Sequence, residues 1–191
     1  MSIVQSEYWG ICMNSKGNAE AFTNALVASS IMHPEGIRYL EVGLGGCGTI
    51  NAVDWTLSQL PGNHKMVGVE HVSWGEGFMM PYLASLFIRD AHQIPQGEWD
   101  VVFIDACHCK QCVINDFNSV KDVITSRGFL IFHDTSPEFQ GLHANMSEHQ
   151  KNGIEVLAAL EECDLSGFEL LADVPGIPPG VSGIRVYQRK D

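Results

Sequence analysis

The sequence predicts an α/β fold built on a mostly parallel sheet, and three observations carry that prediction. Residues Ile37 to Thr49 (IRYLEVGLGGCGT) pass from an apolar, partly β-branched strand through a glycine turn into a helical pattern. Residues Trp99 to Asp105 (WDVVFID) place Val101, Val102, Phe103 and Ile104 in succession, as a strand buried on both faces requires. Around these two anchors, strand-like and helix-like segments alternate along the chain. With 191 residues, the chain has room for one domain with a sizeable core, and none for two comfortable ones.

Taken in order, residues 1–36 read as a helical lead-in to a single domain over 37–191. Within the lead-in, Phe22, Leu26, Val27 and Ile31 recur at helical spacing between Ala19 and Met32, and His33-Pro34-Glu35-Gly36 ends the run. Its expected place is over the sheet edge or the mouth of a cofactor site, or, as the plainer reading, simply packed against the core. The first strand ends in Glu41, then Gly43, Gly45, Gly46 and Gly48 follow. Thr49 opens a helix marked by Ile50, Val53, Leu57 and Leu60, which stops at Pro61-Gly62. Strand, glycine turn and helix in this order form a nucleotide-cofactor site. Glycines admit the ligand close to the backbone, and the helix start offers free N–H groups.

Lys65 to His71 reads as a second buried strand closing on an acid, Glu70. That acid stands 22 positions after Gly48, near the spacing at which a carboxylate takes ribose hydroxyls. Val72 to Leu86 carries Trp74, Phe78, Met79, Met80 and Tyr82, a core or lid stripe. A short third strand lies within Ser85 to Ile94, with Asp90-Ala91 after it. The fourth strand, Trp99 to Asp105, leads into Ala106-Cys107-His108 and a helix from Val113 to Ile124. A fifth strand, Gly128 to Phe132, ends in His133-Asp134. Ligands in open α/β sheets gather beyond the carboxyl ends of the strands, so Asp105, His108, His133 and Asp134 should meet at one edge. Beyond lie a loop with His143 and His149, a helix from Gly153 to Cys163, and a closing strand pair, Phe168 to Val174 and Gly183 to Gln188.

The formal charge of −12 argues against nucleic acid or an anionic membrane as the partner, since both reward a basic face. The N-terminal MSIVQSEYWG lacks a basic start with an apolar run, and no stretch approaches the roughly 20 apolar residues of a membrane span. A cytoplasmic location is expected, with Cys12, Cys47, Cys107, Cys109, Cys112 and Cys163 kept reduced. Cys107-His108-Cys109 with Cys112 is zinc-like in composition, but it has no second knuckle. If a helix begins at Val113, the sulfurs need not converge, and loop thiols are the plainer reading.

The glycine loop satisfies two templates, G-x-G-x-x-G of dinucleotide-binding folds and E-x-G-x-G of class I methyltransferases. Glu41 favours the second, because an acid there sits badly beside a pyrophosphate and well near an ammonium group. The whole chain resembles the class I S-adenosylmethionine-dependent methyltransferases. Within them it is similar to the small O-methyltransferases of macrolide and aminocoumarin sugars. Glu41 to Thr49, Phe103-Ile104-Asp105-Ala106-Cys107-His108, His133-Asp134 and Gly183-Ile184-Arg185-Val186 carry the resemblance, which spans roughly Arg38 to Arg189.

The resemblance implies a Rossmann-like three-layer sandwich with a mostly parallel seven-stranded sheet and an antiparallel last strand. It implies S-adenosylmethionine held by Glu41, Gly43, Gly45, Gly48 and Thr49 at its amino-acid end. Glu70 and His71 would take the ribose, Asp90 and Ala91 the adenine, with Asp105 nearby. The acceptor would be a hydroxyl-bearing small molecule, with Asp105, His108 and His133 as catalytic residues and either Asp105 or a near-neutral histidine, His108, as general base. Asp105, Asp134 and His133 would hold Mg²⁺, although Cys107 stands where the family pattern has a second acid. With little material for a specificity cap, a homo-oligomer could complete the pocket. Two other readings remain open: a non-catalytic Rossmann-like cofactor-binding module and a nicotinamide-dependent reductase.

Overall fold

The computed structural model describes residues 13, 15–70, 84–88, 94–141, 153–176 and 182–191. The expected positions of His71, the Trp74–Tyr82 stripe, Asp90, Ala91, His143, His149 and Cys12 lie outside the described residues.

The elements run α1 (Lys16–Met32), β1 (Arg38–Val42), α2 (Gly48–Leu57), β2 (Lys65–Glu70), β3 (Ala84–Ile88), β4 (Trp99–Ile104) and α3 (Lys110–Val120). They continue with β5 (Ile124–His133), a 3₁₀ turn (Pro137–Phe139), α4 (Val156–Leu160), β6 (Phe168–Val174) and β7 (Ile184–Arg189). Seven strands form one sheet in the order β3-β2-β1-β4-β5-β7-β6. β7 pairs antiparallel with both neighbours, while β3, β2, β1, β4 and β5 pair in parallel. The expected mostly parallel sheet with an antiparallel last strand is the one observed.

Strand alternation divides the core in two. On one face Tyr39, Phe103, Ile131 and Val186 pack beneath α1 and α2 through Phe22, Leu26, Ile50, Val53 and Leu57. On the other, Leu40, Val42, Val102, Leu130 and Phe132 meet α3 and α4 through Val113, Phe117, Ala159 and Leu160. Side chains of successive strand residues point to opposite faces, so a fully apolar strand feeds both layers.

Three boundaries move, each for a local reason. α3 starts at Lys110 rather than Val113, because Cys109 caps it: its sulfur accepts the Cys112 N–H at 3.4 Å. Ile124 opens β5 instead of closing that helix, paired with Trp99 in the parallel register. α4 has only the turns from Val156 to Leu160. The lead-in takes the plain packing role among its expected ones. α1, capped by Ser15 accepting the Asn18 N–H at 3.1 Å, lies on the face of the sheet rather than at its edge. Phe22 meets the Phe103 ring edge-on at 5.0 Å, deep in the same core as the strands. Among the described residues no helix is long and apolar enough to cross a membrane.

At the amino ends of the strands a buried acid ties three elements together. Asp100 is fully enclosed and receives Arg38 twice, Nε at 3.0 Å and Nη2 at 2.8 Å, and the Arg38 backbone N–H at 2.8 Å. Thr125 Oγ1 donates to it at 3.1 Å, and His33 Nε2 stands 3.4 Å away. Burial would raise the Asp100 carboxyl, but the guanidinium and backbone hydrogen bonds outweigh it and hold the group below its usual range. Asp100→Ala leaves these donors without their acceptor inside the fold. It is expected to cost about 3 kcal/mol by urea unfolding, and a loss under about 1 kcal/mol would contradict the clamp.

Candidate active site at the β1–β4 switch point

In the order β3-β2-β1-β4-β5, the chain reverses its winding between β1 and β4, and the carboxyl ends of strands at such a reversal are where open α/β sheets place a ligand crevice. The glycine loop leaves β1 there. Gly43 has φ +88°, and a Cβ on it would stand 2.3 Å from the Asp105 carbonyl oxygen. Only glycine lets the β1 loop and the β4 loop approach so closely. Gly43 N–H also bonds Val69 O and Asp105 N–H bonds Val42 O, both at 2.9 Å, so the ends of β1, β2 and β4 are stitched together. Gly45 and Gly46 are exposed, and a Cβ on either would meet nothing within 4 Å. They leave the backbone open to a ligand. Cys47, left-handed at φ 59°, turns the chain into α2, which starts at Gly48 with Thr49 nearly enclosed.

Two acids brace this loop from within. Glu70, at the end of β2, accepts the Leu44 N–H at 3.0 Å. Glu41 is enclosed at 1 % exposure, accepts the Tyr39 hydroxyl at 2.6 Å, and is also hydrogen-bonded by the Ile50 N–H at the start of α2. Burial pushes its carboxyl well above the usual range, more than the Tyr39 hydrogen bond pulls it down, and the charge of Asp105 adds to the rise. Glu41 therefore holds the loop to α2 rather than lying open in the crevice. Sequence reasoning missed Tyr39, although its i−2 position placed it on the same side of the strand.

Beyond β4 and β5, Asp105, His108, His133 and Asp134 converge as their positions predicted. His108 Nε2 lies 2.8 Å from Asp134 Oδ2 and 3.3 Å from Asp105 Oδ1. His133 Nδ1 lies 3.3 Å from both carboxylates. Asp134, at φ 56°, holds a left-handed conformation that aims it back at the cluster, and the Gln140 amide donates to its carbonyl at 2.9 Å. Among the described residues, neither His108 Nδ1 nor His133 Nε2 finds a hydrogen-bond partner.

Burial would lower both imidazoles, but the two carboxylates dominate. They carry His108 up to about 10 and His133 up to about 9. Burial would likewise raise Asp105, yet the charge of His133 and the hydrogen bonds of both histidines hold it far below the usual carboxylate range. The expected near-neutral histidine base is thus corrected. Two acids flank each ring and favour its protonated form, which disfavours a histidine as the proton acceptor and leaves the other expected base, Asp105.

The donor set is of the kind that holds the divalent cation implied by the resemblance. Oxygens of Asp105 and Asp134 and a nitrogen of His108 lie within 4.8 Å of one another, close enough for one ion to touch all three. The trio differs from the expected Asp105, Asp134 and His133 by exchanging one histidine for the other. Cys107 turns away from the carboxylates and groups with Cys109 and Cys112.

Two predictions follow from this geometry. Gly43→Ala should abolish folding or lower the melting temperature by about 10 °C, whereas Gly46→Ala should leave it within about 2 °C, by thermal unfolding. Equal effects would mean the close approach is unimportant. The raised histidines stabilise the fold fully below about pH 6.5 and lose that contribution as pH climbs through 9 to 10. Melting temperature should fall across that window, and more shallowly in His108→Gln; an equally steep fall in the variant would contradict the pairing.

A family model described as Methyltransferase domain matches residues 69–135, from the end of β2 to the residue after Asp134. No curated protein matches the chain in sequence. Among solved structures, TomG of Streptomyces achromogenes, an O-methyltransferase of tomaymycin synthesis in complex with SAM, is 14 % identical with a TM-score of 0.58. The match covers 91 % of this chain and 81 % of that one. MycE of the mycinamycin pathway, in complex with Mg and SAH, is 11 % identical with a TM-score of 0.62, over 91 % of this chain and 49 % of the other. The N-methyltransferase NodS of Bradyrhizobium japonicum is 11 % identical with a TM-score of 0.56, over 90 % and 96 %.

Proposed function

We propose that this chain, whose fold is that of the class I S-adenosylmethionine-dependent methyltransferases, moves a methyl group from S-adenosylmethionine to a hydroxyl oxygen of a small molecule. The observation that carries the reading is the joining, through the close approach of Gly43 to Asp105, of an open glycine loop with a carboxylate–histidine cluster. The matched segment 69–135 contains that cluster's four residues and supports the methyltransferase assignment.

In this reading Gly45, Gly48 and Thr49 receive the amino-acid end of the cofactor, with Gly43 setting the loop and Glu41 bracing it from behind. Glu70 and His71 take the ribose, while Asp90 and Ala91 border the adenine. Transfer forms an O–C bond, breaks the S–C bond and releases one proton, so the protein's work is alignment and proton removal. Asp105, the more exposed carboxylate at 26 % against 8 % for Asp134, takes that proton. The His108 and His133 imidazoliums offset negative charge developing on the acceptor oxygen. Where a divalent ion such as Mg²⁺ binds, Asp105, Asp134 and His108 or His133 would hold it, and it would lower the pKa of the acceptor hydroxyl.

Calorimetry with S-adenosylmethionine, S-adenosylhomocysteine and NAD, each with and without Mg²⁺, tests the cofactor. Binding of the sulfur compounds and not NAD is expected, and NAD binding alone would sink the reading. Asp105→Asn should keep cofactor affinity within about threefold while S-adenosylhomocysteine production from hydroxyl acceptors falls by about 100-fold. Cofactor binding without turnover in the wild-type protein across hydroxyl acceptors would favour a non-catalytic module.

A further inference from the structure

The loop from β4 to α3 carries a second group of donors of opposite chemical character. The sulfurs of Cys107, Cys109 and Cys112 all lie within 4.8 Å of one another, all three thiols are free, and each residue is partly buried. The convergence comes from where α3 begins. Because Cys109 caps the helix, Cys112 falls in its first turn and its N–H points at the Cys109 sulfur at 3.4 Å. Cys107, two residues before the cap, folds back onto the same spot.

We propose that this loop is a binding site for one thiophilic d¹⁰ cation, Zn²⁺ in the first instance, ligated by the Cys107, Cys109 and Cys112 thiolates. A Zn–S bond of about 2.3 Å puts sulfurs about 3.8 to 4.0 Å apart, so closure needs an inward movement of about 1 Å at most. The set contains no oxygen donor, and an all-sulfur set selects Zn²⁺ or Cu⁺ over Mg²⁺ and Ca²⁺. The amino end of an eleven-residue helix favours the negative charge that deprotonated sulfurs bring. Three protein ligands leave the fourth position of a tetrahedral ion to water or an outside donor.

The site is separate from the carboxylate–histidine cluster but shares its loop. His108 lies between Cys107 and Cys109, and its carbonyl accepts the Glu155 N–H at 2.9 Å. Glu155 in turn accepts the Lys110 N–H at 3.1 Å. A bound ion therefore staples the segment that carries His108, and its effect is on loop order rather than on the methyl-transfer step itself.

The test is titration of reduced, metal-free full-length protein with Cd²⁺, read by its ultraviolet thiolate charge-transfer band, then displacement by Zn²⁺. One ion per chain is expected. Replacing all three with Ser should weaken binding by at least about 100-fold, while Cys163→Ser and Asp134→Asn leave it unchanged. In the wild-type protein, Zn²⁺ should protect Cys107, Cys109 and Cys112 from alkylation and leave Cys163 reactive, a readout that holds even if the triple variant fails to fold. Absence of a charge-transfer band, undiminished binding by the triple variant, or loss of binding through Asp134→Asn would each overturn the proposal. So would absence of protection at the three cysteines.

Discussion

The contact on which the rest depends is the approach of Gly43 to the first residue after β4. With no side chain between them, the loops after β1 and β4 share one surface, held by the Gly43–Val69 and Asp105–Val42 backbone bonds. Three consequences follow from that single closeness. Leu44 N–H reaches Glu70, α2 starts directly after the glycine loop, and Asp105 is fixed beside that loop. A larger residue at 43 would part the two strand ends, and with them the glycine loop and the carboxylate–histidine cluster.

An acidic chain must put its carboxylates somewhere, and three different solutions appear here. Asp100 is neutralised by a bidentate guanidinium at the amino ends of the strands, where it clamps the sheet. Glu41 is enclosed with a phenol and a backbone N–H, which satisfy it without cancelling its charge, and burial drives its pKa upward. Asp105 and Asp134 instead share two histidines, so two negative and two positive groups offset one another at low exposure. Of these three arrangements, this last one includes the most exposed carboxylate, Asp105, at 26 %.

The β4–α3 loop concentrates chemistry in a few residues. Asp105 and His108 belong to a set of hard and borderline donors, whereas Cys107, Cys109 and Cys112 form a soft one. The sulfur of Cys107, which stands where the resembled pattern has a second acid, joins the other thiols rather than the carboxylates. Backbone bonds from Glu155 and Lys110 tie the loop to the stretch before α4, so both donor sets rest on the same support.

By itself the sequence determined the sheet, its glycine turn and the meeting of Asp105, His108, His133 and Asp134. Those features depend on local patterns: unbroken apolar runs, glycines at fixed offsets, and residues placed just past strand ends. Tertiary structure decided what spacing does not encode. Tyr39 encloses Glu41, Asp100 gathers donors from three elements, α1 lies on the sheet face, and paired acids raise the histidines out of the neutral range. It also brought the three sulfurs together, because a cap at Cys109 shifted the helix start by one turn from where apolar periodicity put it. Charge and burial are properties of neighbours in space, and the chain order names those neighbours only when they share an element.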